Sequence, residues 1–152
     1  MMGRRFEKKL RALAGRLRRT RVIFTGYAAG AEKRSLFRLA DLYVFPSRHE
    51  SYGLTLMEAM RAGLPALACD DHGSRDLIKP GFGVRLPPSP ERQIPALLCD
   101  ALARLYSSRE HLKRMGAAAR DFADRQKFSE AAARLAEILV NEPVGARHPI
   151  DE

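Results

Sequence analysis

No apolar stretch in the 152-residue sequence approaches the ~18 residues of a membrane span. The opening MMGRRFEKKL puts charges where a secretion signal would need an apolar run, so a cytoplasmic protein is expected. Only two cysteines occur, Cys69 and Cys99, without metal-ligand spacing. They read as reduced, packed thiols rather than a disulfide or zinc framework. No Asp-x-Asp pair exists to clamp a metal-bound diphosphate, and no Ser/His/Asp or Cys/His constellation can be read. His49 and His72 lack a paired acid or metal-ligand spacing and read as polar loop residues.

What is present is ordinary for a single globular domain: 45% hydrophobic residues, at a length that buries roughly 70% of the surface of the unfolded chain. The net charge of +9 resembles a nucleic-acid signal until it is located. Residues 1–21 hold nine Lys or Arg against one acid, Glu7, while the other 131 residues hold 18 basic and 17 acidic side chains. The basic segment is also amphipathic, with Phe6, Leu10, Leu13 and Leu17 at helical spacing. One reading is a surface helix whose apolar stripe packs on a sheet. Another is peripheral attraction to an anionic membrane face, where each cation is worth about 1 kcal/mol. Nucleic acid is not an expected partner, because no DNA- or RNA-reading motif is present.

Short apolar runs alternate with helical patterns. Strands are expected at residues 22–25, 42–45, 65–69 and 83–86, each apolar throughout, as in a parallel sheet covered on both faces. Helices are expected at 32–39 and 53–62, with a short turn at 74–78. After Pro87-Pro88 the pattern is helical only, at 94–106, 110–122 and 129–140. The expectation is an α/β, Rossmann-like parallel sheet followed by C-terminal helices, with one domain over residues 1–142 and a polar tail over 143–152.

The chemistry concentrates in FPSRHESYGLTLMEAMRAGLP, residues 45–65. It places Glu50 in a loop and Glu58 inside a helix beginning near Gly53. The free N–H groups of a helix N-terminus hold phosphate, whereas carboxylates on either side suit sugar hydroxyls. A nucleotide sugar carries both kinds of group.

The segment resembles the donor-site signature of the retaining, family-four (group 1) glycosyltransferases. The elements are Val44-Phe45-Pro46-Ser47, Glu50, Tyr52-Gly53-Leu54, Glu58-Ala59-Met60, Ala62-Gly63 and Pro65. Further likeness lies in Val22-Ile23-Phe24-Thr25-Gly26-Tyr27, in Leu39-Ala40-Asp41-Leu42-Tyr43-Val44, in residues 114–120 and in Phe128-Ser129. The resemblance implies the C-terminal, donor-binding half of a GT-B fold. Glu50 would bond hydroxyls of the donor sugar near the reacting carbon and act as the catalytic residue. Glu58 would accept both ribose hydroxyls, and its apolar neighbours Leu56, Met57, Ala59 and Met60 suggest a carboxylate on a largely buried helix. Gly53 would let the backbone approach the diphosphate, with the N–H groups of Leu54 and Thr55 donating. Ser47 would cap the loop or touch a phosphate, and Tyr27 would lie beside the base through its backbone. No metal and no further cofactor is implied.

The family's loop with Gly-Gly and a closing Glu reads Asp71-His72-Gly73-Ser74-Arg75-Asp76 here. The two strands that open the donor domain, with the Arg and Lys that neutralise the diphosphate, have no counterpart before Val22. In the order 3-2-1-4-5-6 they would lie between the expected strands at 22–25 and 42–45. The resemblance thus implies an N-terminally incomplete donor half, partnered in the whole enzyme by an acceptor domain that binds a glycan or glycolipid. Two other readings stand beside it: a non-catalytic nucleotide-sugar-binding module, and a fragment that contacts membrane or protein through its basic helix.

Overall fold

A computed structural model of the protein describes residues 4–49, 51–70 and 72–141. The chain divides into two compact units, residues 1–33 and 34–152. In the first unit, α1 spans Arg4–Ala14 and ends in a turn closed by Arg16 N–H to Leu13 O and Leu17 N–H to Ala14 O. Arg11 Nε and Nη2 both donate to Glu7 Oε1 at i,i+4 and brace the helix, and the Arg11 guanidinium sits 4.5 Å from the centroid of the Phe24 ring. Residues 22–25 form no strand. A strand requires a hydrogen-bonded neighbour, and none of the described residues pairs with this run, so its β-branched pattern stays irregular. Within this unit Leu10 is half-buried, whereas Phe6, Leu13 and Leu17 are 56%, 57% and 51% exposed.

α2 spans Gly30–Leu39, across the boundary between the units. The second unit continues with β1 (Tyr43–Phe45), α3 (Leu54–Arg61), β2 (Ala66–Cys69), α4 (His72–Leu77) and β3 (Gly83–Leu86). A turn of 3-10 helix at Glu91–Gln93 leads into α5 (Ile94–Tyr106), α6 (Arg109–Arg125) and α7 (Phe128–Asn141). The three strands are parallel in the order β1-β2-β3, with Val44 opposite Leu67 and Leu67 opposite Val84. Each βα unit therefore adds one strand in sequence, the Rossmann-like pattern.

β2 shows why the sheet needs two covers. All four of its residues are buried. Ala66 and Ala68 face Leu56, Met57 and Met60 of α3 together with Ala119 and Ala123 of α6. Leu67 and Cys69 face the other way, against Leu86, Ala101, Leu105, Leu112 and Met115. The short side chains on the first face let α3 lie close to the sheet. Cys69 is packed as expected, but Cys99 is exposed, since it falls on the outer side of α5.

The end of α3 explains the rear of the 45–65 segment. Gly63 has φ 85°, and it donates to Met60 O while Leu64 donates to Ala59 O. This is a Schellman motif, which needs a left-handed residue after the helix. α6 packs here without side-chain bulk: a Cβ on Gly116 would lie 2.2 Å from the Gly63 carbonyl oxygen. Two arginines then cap each other's helices. Arg120 donates to Arg61 O and Ala62 O, and Arg61 donates to Ala123 O and Gln126 O. Carbonyls orphaned at both helix ends are satisfied this way.

Candidate functional site

The β1–α3 connection leaves the sheet at the carboxyl end of β1, the end where open parallel sheets bind ligands. Gly53 closes that connection with φ 78° and ψ 40°, in the left-handed region, and no side chain caps the helix it starts. Its own carbonyl takes the first helical bond, from Met57 N–H. The N–H groups of Leu54 and Thr55 therefore open the helix, as an anion site requires. The turn is held from behind. A Cβ on Gly53 would lie 3.0 Å from Leu77 Cδ1, and one on Gly73 would lie 2.9 Å from the Tyr52 carbonyl carbon. α4 thus fixes the backbone of residues 52–53.

α3 buries Leu56, Met57, Ala59 and Met60 and turns Leu54, Glu58 and Arg61 outward. Those three stand at i, i+4 and i+7, one stripe of the helix. Glu58 is expected on a largely buried helix, and α3 is one. The helix is buried, but Glu58 itself is exposed, because its neighbours in sequence point to the sheet and to α6 while it points away from them. Leu54 and Glu58 line a cavity of about 250 Å³ with Tyr52 and Met57. Arg61, Gln126 and Lys127 form its remaining wall. Glu58 is the only carboxylate among these lining residues. The two cations are already engaged, Arg61 with carbonyls at the end of α6 and Lys127 at 3.4 Å from Glu130.

Gly53, Leu54, Thr55 and Glu58 are thus brought together by the first turns of one helix. Ser47 lies half-buried in the loop after β1 and does not line the cavity. Tyr27 belongs to the first unit and is 94% exposed. Glu50 lies outside the described residues. His49 is an exposed loop residue. Among the described residues no group of three or more His, Cys, Asp or Glu could hold a metal.

Three wall residues, Arg61, Gln126 and Lys127, are missing from the sequence reading. Arg61 was within reach, since it stands three residues after Glu58 on the same stripe. Gln126 and Lys127 arrive only through the packing of α6 on α3.

A family model described as "Glycosyl transferases group 1" matches residues 2–122. The chain belongs to this family. The phosphatidyl-myo-inositol mannosyltransferase of Mycobacterium leprae is 33% identical over 136 residues, which is 89% of this chain and 35% of that protein. Among solved structures, sucrose-phosphate synthase from Thermosynechococcus elongatus superposes with a TM-score of 0.70 at 24% identity, over 88% of this chain and 33% of that one. Anabaena HepE, determined in complex with UDP-glucose, superposes with a TM-score of 0.64 at 23% identity, over 93% and 38%. These likenesses establish the Rossmann-like α/β fold of the GT-B glycosyltransferases. The chain spans about a third of the length of these relatives.

Proposed function

We propose that this chain carries the donor site of a glycosyltransferase that moves a sugar from a nucleoside diphosphate to an acceptor hydroxyl with retained anomeric configuration. The observation that carries the reading is Glu58, a carboxylate in a cavity wall one turn beyond a helix N-terminus set by a left-handed glycine. The Leu54 and Thr55 N–H groups receive the diphosphate, and Glu58 accepts the ribose hydroxyls. Glu50, carried over from the signature, serves the donor sugar. Ser47 and Tyr27 supply the loop and base contacts. The acceptor is a glycan or glycolipid, held by a domain that the matched third of the relatives does not include, and the reaction is set in the cytoplasm.

The anion is held by backbone dipoles, worth ~0.3–1 kcal/mol at an exposed helix end and more when buried. Binding therefore requires no divalent cation. A thermal-shift screen of UDP-, GDP- and ADP-sugars on the purified chain, with and without EDTA, tests the reading. Stabilisation by at least one nucleotide sugar, unchanged by EDTA, is expected. Stabilisation that EDTA abolishes and magnesium restores would contradict metal-free binding, and no stabilisation by any of them would remove the donor-site reading.

A further inference from the structure

We propose that the cavity beside β3 is a second anion site, separate from the helix opening at Gly53, and that it takes the dianionic phosphate of a small phosphate monoester. The cavity measures about 340 Å³, and Asp70, Lys79, Pro80, Val84, Arg85 and Pro87 are among its lining residues. That volume is in the range of small-ligand pockets. Three cations converge there on one carboxylate. Arg75 Nε donates to Asp70 Oδ1 at 3.0 Å, and Arg85 Nη1 donates to the same oxygen at 3.3 Å. Arg85 Nη1 and Lys79 Nζ also reach the Arg75 carbonyl oxygen, each at 3.4 Å. The fold assembles this cluster from two elements. Asp70 N–H donates to Leu86 O, which ties the residue after β2 to β3 and sets its carboxylate beside Arg85. Arg75 and Lys79 come from α4 and the turn that follows it, four residues apart. Every residue of the cluster belongs to the second unit.

Charge selects the ligand. Arg75 offsets Asp70, so Lys79 and Arg85 leave the cluster with two positive charges in excess. A phosphate monoester carries about −1.5 to −2 near neutral pH, whereas a carboxylate or a phosphodiester leaves one cation unmatched. Among the described residues Arg85 engages only its Nη1, so Nε and Nη2 keep donors in the fork geometry that suits phosphate. The Asp70 and Arg85 side chains are 19% and 33% exposed, and partly buried charges are screened less by salt than exposed ones. Pro80, Val84 and Pro87 give the body of the ligand an apolar wall. α4 stands between this cavity and the donor turn. Its Gly73 and Leu77 meet residues 52–53, while Arg75 lies about 200° round the helix from Gly73. The inference does not rest on the donor-site reading.

The test is calorimetric titration of glucose 6-phosphate, inorganic phosphate and dimethyl phosphate into the full chain. Glucose 6-phosphate should bind, and the diester should bind about 10-fold more weakly or less. Lys79→Gln and Arg85→Gln should each lower the affinity for glucose 6-phosphate on the order of 10- to 100-fold. Lys79 is exposed, so its variant should melt at the wild-type temperature and keeps the test sound if Arg85→Gln loosens the fold. No binding of glucose 6-phosphate, binding of inorganic phosphate alone, equal affinity for monoester and diester, or wild-type affinity in Lys79→Gln would each overturn the inference. The last of these would leave the anion at the helix opening of α3. Nucleotide titration of the Lys79→Gln variant, where unchanged affinity is expected, separates this outcome from the donor-site reading.

Discussion

The two faces of α3 do different work within eight residues. The inner face, Leu56, Ala59 and Met60, is fully buried, and the fold depends on it. The outer face, Leu54, Glu58 and Arg61, is exposed and contributes little to the core while forming the cavity wall. The 45–65 segment therefore mixes two kinds of requirement. Its rear, Ala62-Gly63 and Pro65, serves the Schellman turn and the close approach of α6. Its front, Gly53 to Glu58, offers the helix opening and the carboxylate. A match to the whole segment reports the fold firmly, whereas the ligand chemistry rests on the outer face alone.

Substitutions separate the faces. Met60→Ala removes a fully buried side chain and should cost about 2–5 kcal/mol of stability, a fall in Tm on the order of 10 °C by calorimetry. A shift below a degree would show that the inner face is not the core. Gly116→Ala drives a methyl group into the Gly63 carbonyl and should cost about 1–3 kcal/mol through overpacking; wild-type urea unfolding would contradict the close packing of α6 on α3. Gly53→Ala lies where the faces meet. It forces alanine into the left-handed region at about 1–2 kcal/mol, and it should loosen nucleotide binding as well as lower stability. Loss of stability with binding intact would detach the helix opening from the site.

Much of the second unit was legible in the sequence because its signals are local. The ends of β3 and α5 fall where the apolar pattern and Pro87-Pro88 put them. β2 reads as a strand because both its faces are apolar, and both are covered. The failures are equally physical. Residues 22–25 have the composition of a strand, but strand formation depends on a neighbour that a local pattern cannot supply. Apolar neighbours at i±1 and i±2 of Glu58 mark the burial of α3 but not of Glu58, because on a helix they point elsewhere. The Gln126 and Lys127 wall lies more than sixty residues from Glu58, where no spacing rule reaches.

The central claim is that the outer face of α3 binds a nucleoside diphosphate and that Glu58 holds its ribose. The most direct measurement is calorimetric titration of the nucleotide chosen by the thermal-shift screen into wild type and Glu58→Ala, with melting curves for both. Hydrogen bonds to a charged acceptor are worth roughly 1.5–3 kcal/mol, so the account predicts affinity lowered on the order of 10- to 100-fold. An exposed side chain should leave stability within about 0.5 kcal/mol, so the two melting temperatures should agree. Equal affinity in the two proteins would contradict the account, because the one carboxylate among the described residues that line the cavity would then have no part in holding the ligand.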